Sequence, residues 1–239
     1  MEFLNLRKNK MLQEKIQSII DNTPDSIFEI LPEECFKRHD INDYVYSWHN
    51  RNKELSQGLS DNGGKPCFET YYALAKVLNP KSFLEIGVRF GYSFIPTLIG
   101  GNEIEYALGL DLETYGNNAI ANSNIKEFYK GNATWELKHL NSQEIIELPQ
   151  FFDLVSIDGC HNYHCKIHDL KLAMNNSTYV IIDDYIYHYD VRRATDDFLK
   201  EFSHNIENAL YLDTFRGSML IEFKNKVEKV KLEPTDYND

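Results

Sequence analysis

The sequence lacks long apolar runs and an excess of positive charge, and both absences limit its function. No segment approaches the roughly 20 consecutive apolar residues of a membrane-spanning helix. Charged residues interrupt the N-terminal segment too often for a secretory signal, so the cytoplasm is the expected compartment. Acidic side chains number 37 against 25 basic ones, and the net charge is -12. Since nucleic-acid binding depends on clustered Lys and Arg, we do not expect a nucleic-acid partner. The lack of a long apolar run means that we do not expect a membrane partner either.

Cysteine is scarce as well, with four residues in the chain. Nothing else in the sequence suggests secretion, so free thiols are expected rather than disulfides. Two of the cysteines lie in the stretch 160–168 together with three histidines. Zinc fingers usually combine two ligand pairs, and no second pair accompanies this stretch, which disfavours zinc. Apolar residues at helical spacing between Tyr163 and Met174 predict a helix that buries that side and exposes its histidines to solvent.

The chain has no internal repeat, and its residue pattern divides it into three parts. Residues 1–62 are charged and helix-prone, which predicts an N-terminal helical extension that ends at the Gly- and Pro-containing segment 60–66. Residues 63–226 carry the apolar segments of a folded domain. The charged residues 227–239 predict a frayed C-terminal tail.

Within residues 63–226 the apolar pattern alternates between helical and strand periods. Strands are predicted in 82–88, 105–113, 125–133, 151–159, 178–185, 208–215 and 218–223. Helices are predicted in 67–80, 91–101, 116–128, 142–149, 162–174 and 191–202. Such alternation indicates an α/β fold with a parallel sheet. Ligands of these sheets bind beyond the carboxyl ends of the strands, so the residues directly after each apolar run are the candidates for chemistry.

Two glycines, Gly87 and Gly91, lie between the first predicted strand and the helix after it. Glycine allows a sharp turn and a close approach of the backbone to a ligand. The loop does not match the G-x-G-x-x-G pattern of dinucleotide-binding folds, because Arg89 stands where the second glycine belongs. A nicotinamide-dependent oxidoreductase is therefore the less favoured alternative, and a ligand without a pyrophosphate is favoured.

Asp111 and Ala133 follow the second and third predicted strands. Asp111 comes 20 residues after Gly91, about where nucleotide-binding folds place the acid that holds a ribose. The small Ala133, in the sequence Gly131-Asn132-Ala133, is a candidate to flank an adenine ring, and an ordinary turn explains it equally well.

Acids follow the fourth and fifth predicted strands, as Asp158 and as the pair Asp183-Asp184. Three converging carboxylates repel one another unless a cation or a proton lies among them, and Mg²⁺ prefers oxygen ligands of this type. Helix capping explains any one of these acids but explains the group less well. His161, three residues after Asp158, is a candidate base, because a neutral imidazole accepts a proton at physiological pH.

Taken together, these motifs resemble those of the class I S-adenosylmethionine-dependent methyltransferases. The resemblance extends over about residues 66–224 and is greatest to methyltransferase family 24 and the macrocin O-methyltransferase group. The matching residues are Glu85-x-Gly87-x-x-x-Gly91-x-Ser93, Asp111, Ile157-Asp158-Gly159-x-His161-x-Tyr163 and Asp183-Asp184-Tyr185.

The resemblance implies a Rossmann-like fold with a mostly parallel seven-stranded sheet, helices on both faces and an antiparallel last strand. It implies that Glu85, Gly87 and Ser93 hold the methionine end of S-adenosylmethionine and that Asp111 holds its ribose. The full set of expected cofactor-binding residues is Glu85, Gly87, Gly91, Ser93, Asp111, Ala133 and Asp158.

The activity that the resemblance implies is O-methylation of a hydroxyl group on a small molecule of sugar or phenol type. His161 and Asp158 are the expected catalytic residues, and Asp158, Asp183 and Asp184 are the expected ligands of an assisting Mg²⁺ ion. N-terminal extensions in such relatives cover the pocket or mediate oligomers, so a homo-oligomer is a further expectation. The alternatives are a non-catalytic nucleotide-binding module, the oxidoreductase named above, and a hydroxylase in which the acids bind iron.

Overall fold

The structure is a computed structural model that describes residues 6–22, 67–112, 117–212 and 217–235. Of the predicted N-terminal extension, only helix α1 (Leu6–Asn22) falls within these ranges, and the rest of residues 1–62 lies outside them. Ile16 and Ile20 are buried, as expected for the apolar stripe of an amphipathic helix. The stripe packs against helix α2 (Cys67–Leu78), so α1 belongs to the folded domain.

The remaining described elements alternate between strand and helix, as the apolar pattern predicts. They are β1 (Ser82–Ile86), α3 (Phe94–Gly100), β2 (Tyr106–Asp111), α4 (Asn117–Phe128), β3 (Thr134–His139), β4 (Phe152–Ile157), α5 (Tyr163–Asn176), β5 (Ser177–Ile182), α6 (Tyr189–Glu201), β6 (Ile206–Leu212) and β7 (Ser218–Phe223). In the described part of the chain, no helix is long and apolar enough to cross a membrane.

The strands form one seven-stranded sheet in the order β3-β2-β1-β4-β5-β7-β6. The first five are parallel, and β7 runs antiparallel to both β5 and β6. In the register, Ile86 pairs with Leu110 and Ile157, and Ile157 pairs with Ile182. The carboxyl ends of β1, β2, β4 and β5 therefore lie side by side. This confirms the expected seven-stranded Rossmann-like fold with an antiparallel last strand.

Helices cover both faces of the sheet because successive strand residues point to opposite sides. Leu84 and Ile157 contribute to a core shared with α5 and α6, whereas Phe83 and Leu154 contribute to a second core shared with helices α1 to α4. By the same alternation, Glu85 faces the side of α3, where a polar residue needs a polar partner.

Two elements were predicted wrongly near the edge of the sheet. The third strand was expected within 125–133, but it is Thr134–His139, and residues up to Phe128 belong to α4. The helix expected over 142–149 is only a short 3₁₀ turn, Ser142–Glu144. Residues of β3 are half-buried or exposed because it is an edge strand, so its apolar signal is weak.

The face of α5 was also predicted wrongly. His164 is exposed, but His168 and Cys165 are buried rather than solvent-facing. Nε2 of His168 lies 3.1 Å from the carbonyl oxygen of Ser142 and 3.0 Å from that of Ile145. Hydrogen bonding to backbone carbonyls explains why a histidine is tolerated there. Cys160 and Cys165 are free thiols, as expected.

The C-terminal tail packs on the domain up to residue 235, so the prediction that it frays was wrong for that part. Asn175 forms two hydrogen bonds with the backbone of Val230, of 2.8 and 3.0 Å. The Thr235 N–H donates to the Gln143 carbonyl oxygen at 3.0 Å, and Leu232 is buried. Amide side chains of the domain thus satisfy backbone groups that a strand partner would otherwise satisfy.

Candidate active site

The loop after β1 brings the ends of three strands together. Gly87 has φ of +93°, and its N–H donates to the Leu110 carbonyl oxygen at 2.8 Å. The Asp158 N–H donates to the Ile86 carbonyl oxygen, also at 2.8 Å. A Cβ at position 87 would lie 2.4 Å from the Asp158 carbonyl oxygen, so only glycine fits this crossing. Gly91, with φ of +89°, completes the turn that leads to α3.

Glu85 is a fully buried carboxyl group at the end of β1. The Ser93 hydroxyl donates to Oε1, whereas Oε2 has no hydrogen-bond partner among the residues that the structure describes. Burial raises the pKa of Glu85 well above its ordinary value, and the carboxylates of Asp158, Asp183 and Asp111 raise it further. The Ser93 hydrogen bond opposes only part of this shift. No positively charged residue in the described part of the chain therefore offsets the burial of this carboxyl group.

Asp111 is the last residue of β2 and is buried. Its Oδ2 accepts the Arg89 N–H at 2.6 Å, and Arg89 adopts a left-handed backbone with φ of +50°. The Asn124 side-chain amide donates to the Phe90 carbonyl oxygen at 2.9 Å and holds the same loop from the side of α4. Asp111 thus lies at the carboxyl end of its strand, and its role in binding a ribose stays a prediction.

Ala133 does not join the other predicted residues. It directly precedes β3, at the amino end of a parallel strand, and its N–H donates to the Tyr129 hydroxyl at 3.0 Å. The wrong strand placement removes the reason for assigning it to adenine. Leu140 instead follows β3, its N–H donates to the Asp111 carbonyl oxygen at 3.2 Å, and its side chain is 45% exposed. The alternation of Trp135, Leu137 and the polar residues between them is the signal that was missed.

The acids after β4 and β5 converge, as predicted. Burial raises the pKa of Asp183 to about 7, with further contributions from the carboxylates of Asp158 and Asp184. The Ser218 hydroxyl donates to Oδ1 of Asp183 at 3.0 Å. Asp184 is fully buried and has a left-handed backbone with φ of +60°. Ile157 and Ile182 pair in the sheet, so the three acids that follow them lie at neighbouring strand ends.

His161 lies in the loop between β4 and α5 and faces two of these acids. Its Nε2 is 3.1 Å from Oδ2 of Asp184 and 3.9 Å from Oδ1 of Asp158. Partial burial by itself lowers the pKa of His161, but the two carboxylates outweigh it and raise the pKa to about 9. At neutral pH and without a bound cation, the imidazole is therefore protonated, which differs from the neutral base that was predicted.

A second histidine, His188, was missed by the sequence interpretation. Its Nε2 lies 3.6 Å from the same Oδ2 of Asp184, and its ring stacks on that of His161 with centroids 4.1 Å apart and an interplanar angle of 10°. In the described part of the chain, His161, Asp184 and His188 form a group whose potential donor atoms lie within 4.8 Å of one another. His188 follows Asp184 by one helical turn, and this spacing is the signal that points to it.

Comparison with known proteins finds no family model that matches the chain and no curated protein that matches its sequence. Solved structures do match. The O-methyltransferase from Bacillus cereus in complex with S-adenosylhomocysteine is 18% identical with a TM-score of 0.57, and the match covers 90% of this chain and 99% of that one. A Podospora anserina methyltransferase bound to S-adenosylhomocysteine is 17% identical with a TM-score of 0.53, and the match covers 85% and 97% of the two chains.

The O-methyltransferase TomG from Streptomyces achromogenes, in complex with S-adenosylmethionine, is 14% identical with a TM-score of 0.54, and the match covers 74% of this chain and 89% of that one. At these identities the likeness concerns the fold and not individual residues. The chain therefore has the α/β, Rossmann-like fold of class I methyltransferases.

Proposed function

We propose that this protein is an S-adenosylmethionine-dependent O-methyltransferase that acts on a hydroxyl group of a small molecule. The observation that carries the proposal is the row of carboxyl groups at the carboxyl ends of four adjacent parallel strands. Its members are Glu85 on β1, Asp111 on β2, Asp158 after β4, and Asp183 and Asp184 after β5. Open α/β sheets bind ligands at this edge.

The first two strand ends fit the cofactor. The methionine end of the cofactor carries an ammonium group, and the buried Oε2 of Glu85 is an acceptor without a hydrogen-bond partner in the described residues. An ammonium group there would supply the positive charge that Glu85 lacks. Asp111 would bind the ribose hydroxyls, and the exposed Leu140 beside it would cover one face of the adenine ring. Gly87, Gly91 and Ser93 shape the loop between them.

The β4 and β5 ends would act on the acceptor. When bound, the cofactor would supply an electrophilic methyl group. Attack of the acceptor oxygen on the methyl carbon would break the bond from that carbon to the cofactor sulfur and release S-adenosylhomocysteine. Much of the rate enhancement then comes from holding that oxygen in line. The hydroxyl proton would pass to the carboxylate of Asp158, which lies 3.9 Å from His161, or to His161 itself where a bound cation keeps the imidazole neutral.

An assisting Mg²⁺ ion at Asp158, Asp183 and Asp184 stays a prediction. The carboxylate oxygens are ligands of the type that a hard cation prefers. Among the described residues, however, the group whose potential donor atoms lie within 4.8 Å of one another contains Asp184 but neither Asp158 nor Asp183. Such an ion would lower the pKa of an acceptor hydroxyl. An acceptor of sugar or phenol type and a homo-oligomeric state also stay predictions.

The solved structures support the same activity, because the Bacillus cereus and Streptomyces achromogenes proteins are O-methyltransferases with S-adenosylhomocysteine or S-adenosylmethionine bound. Their fold matches that of this chain over at least 74% of its length. The likeness favours the cofactor more than it favours a particular acceptor.

Calorimetric titration with S-adenosylhomocysteine tests the proposal. We expect binding in the micromolar range, and a loss of about 10- to 100-fold in Asp111→Ala, since hydrogen bonds to a charged group contribute about 1.5–3 kcal/mol. Asp153→Ala is the matched control, because Asp153 is an aspartate of β4 whose carboxylate binds the amino end of β1, at Lys81 and Ser82. Absence of binding in the folded wild-type protein would refute the methyltransferase assignment.

A further inference from the structure

The geometry points to a site for a divalent transition-metal ion formed by His161, Asp184 and His188, with two imidazole nitrogens and one carboxylate oxygen as ligands. This donor set differs from the three carboxylates predicted to hold Mg²⁺, with which it shares only Asp184. The site lies at the acceptor end of the proposed methyltransferase, and its role in catalysis rests on that function. Metal binding itself is independent of the cofactor.

The distances fit a common ion. Ligand atoms about 2.1 Å from a tetrahedral ion are separated from one another by about 3.4 Å. Nε2 of His161 and Nε2 of His188 lie 3.1 Å and 3.6 Å from the same oxygen of Asp184. One potential donor atom from each of the three residues lies within 4.8 Å of the other two, so a shift of at most about 1.4 Å brings two ring nitrogens to the required separation.

The environment of His161 gives a second, independent reason to infer a metal site. Its Nε2 is buried and makes no aligned hydrogen bond within the described ranges, although a carboxylate oxygen lies at 3.1 Å. Buried ring nitrogens in proteins are normally hydrogen-bonded or bound to a metal. An ion placed between the histidines and Asp184 would satisfy this atom.

The rings can reach the required orientation. A metal lies in the plane of each imidazole that binds it, so two parallel rings stacked at 4.1 Å must tilt before both can bind one ion. The side chains of His161 and His188 are 39% and 36% exposed, which leaves room for this rotation. Asp184 is fully buried and stays as the fixed ligand.

The donor set also selects the class of ion. Imidazole nitrogen suits Zn²⁺, Co²⁺, Fe²⁺ and Ni²⁺, whereas Mg²⁺ prefers oxygen ligands and retains its water. An ion held by only three protein ligands would keep a coordination position open for the hydroxyl group of the methyl acceptor. With His161 engaged as a ligand, Asp158 is the remaining group near the site that accepts the hydroxyl proton.

Cobalt titration of the metal-free full-length protein tests the site, with visible absorption of Co²⁺ as the readout and calorimetry as the measure of affinity. We expect one ion per chain with a spectrum typical of nitrogen ligands. His188→Ala should weaken binding by more than about tenfold, as expected for loss of a group that holds the ion. His164→Ala, which removes an exposed histidine of α5, should leave the affinity unchanged. Asp158→Asn removes a carboxylate near the site but no ligand, so it should weaken binding less than His188→Ala does.

Two results would overturn the site. One is the absence of Co²⁺ binding in the folded wild-type protein. The other is binding that survives in His188→Ala but is lost in Asp158→Asn, which would assign the ion to the carboxylates. Titration of the same variants with S-adenosylhomocysteine separates this site from the proposed function, because cofactor binding should persist in His188→Ala whether or not the ion binds.

Discussion

The two halves of the sheet edge are built in different ways. In the β1–β2 half, donors of the adjoining loop hold the carboxyl groups in place: Ser93 donates to Oε1 of Glu85, and the Arg89 N–H donates to Asp111. Among the described residues, only Oε2 of Glu85 is left there without a hydrogen-bond partner. In the β4–β5 half, charges face one another, and two histidines share the carboxylate of Asp184. The first half is preorganised to bind a ligand, whereas the second is completed by a cation or a proton.

The largest expected effect separates chemistry from binding. His161→Asn should lower kcat by about 10²- to 10⁴-fold, because it removes an imidazole of the β4–β5 half. The affinity for S-adenosylhomocysteine should change by less than about threefold, since the β1–β2 half is intact. Steady-state kinetics with a methyl acceptor and calorimetry measure the two quantities, and the exposed His164→Asn is the control. Equal losses in kcat and cofactor affinity would mean that the two halves do not act separately.

Gly87 joins the two halves, so Gly87→Ala should disrupt both. The new Cβ would lie 2.4 Å from the Asp158 carbonyl oxygen, and a φ of +93° is strained for alanine. We expect a loss of about 2–4 kcal/mol in the free energy of unfolding, measured with urea. Gly159→Ala is the control: the atom nearest to its Cβ would be a side-chain carbon of Ile86 at 3.2 Å, and the Ile86 carbonyl oxygen would lie at 3.7 Å, so a loss below about 1 kcal/mol is expected. Similar losses for both variants would mean that the close approach of the Asp158 backbone to Gly87 does not restrict this position to glycine.

Glu85→Gln tests whether the buried carboxyl group of the β1–β2 half is protonated in the folded protein. Because burial raises the pKa of Glu85, the folded protein holds a proton that the unfolded chain releases above its ordinary carboxyl pKa. The free energy of unfolding of the wild type therefore falls as pH rises from the ordinary carboxyl pKa toward the raised pKa of folded Glu85. The variant removes this pH dependence. Each pKa unit corresponds to about 1.4 kcal/mol.

Urea unfolding at about pH 5 and about pH 8 should accordingly show a larger gain for Glu85→Gln at the higher pH. The same variant should bind S-adenosylhomocysteine more weakly, since it no longer offers a carboxylate to the ammonium group. Glu144→Gln, the same replacement at an exposed residue, is the matched control. A gain that is equal at both pH values would contradict an ionisable Glu85.

The smallest expected effect concerns the adenine end. Leu140→Ala should weaken binding of S-adenosylhomocysteine by about 3- to 10-fold, as expected for about 1 kcal/mol of lost apolar contact. Stability should not change, because the side chain is 45% exposed. Ile146→Ala, at a residue that is 54% exposed, is the matched control for calorimetry. An unchanged affinity in Leu140→Ala would place the adenine elsewhere.

Sequence patterns located β1, β2, β4 and β5 because each buried strand is a continuous apolar run that ends in an acid or a glycine. The positions of Asp111 and Asp158 followed from those runs. The edge strand β3 carries alternating exposed residues, and its misplacement moved the expected adenine contact from Leu140 to Ala133. A continuous apolar run identifies a strand only where both faces of that strand are buried.

The electrostatic state of the site was not predictable in the same way. The pKa of about 9 for His161 depends on carboxylates that follow two different strands, so only the folded structure reveals it. His188 belongs to none of the motifs on which the sequence interpretation relied. It reaches the site because the turn after Asp184 places its ring beside that carboxylate. The tail was misjudged because its charged side chains gave no sign of the backbone contacts to Asn175.

Asp184 has a consequence for engineering. It is a buried carboxylate with a left-handed backbone, and such a conformation costs about 1 kcal/mol or more in a residue other than glycine. A directed-evolution campaign that selects only for heat resistance would therefore enrich replacements such as Asp184→Gly. An aspartate that persists here in evolved libraries would signal that selection still acts on activity, and its early disappearance would warn that thermal robustness is being gained at the expense of turnover.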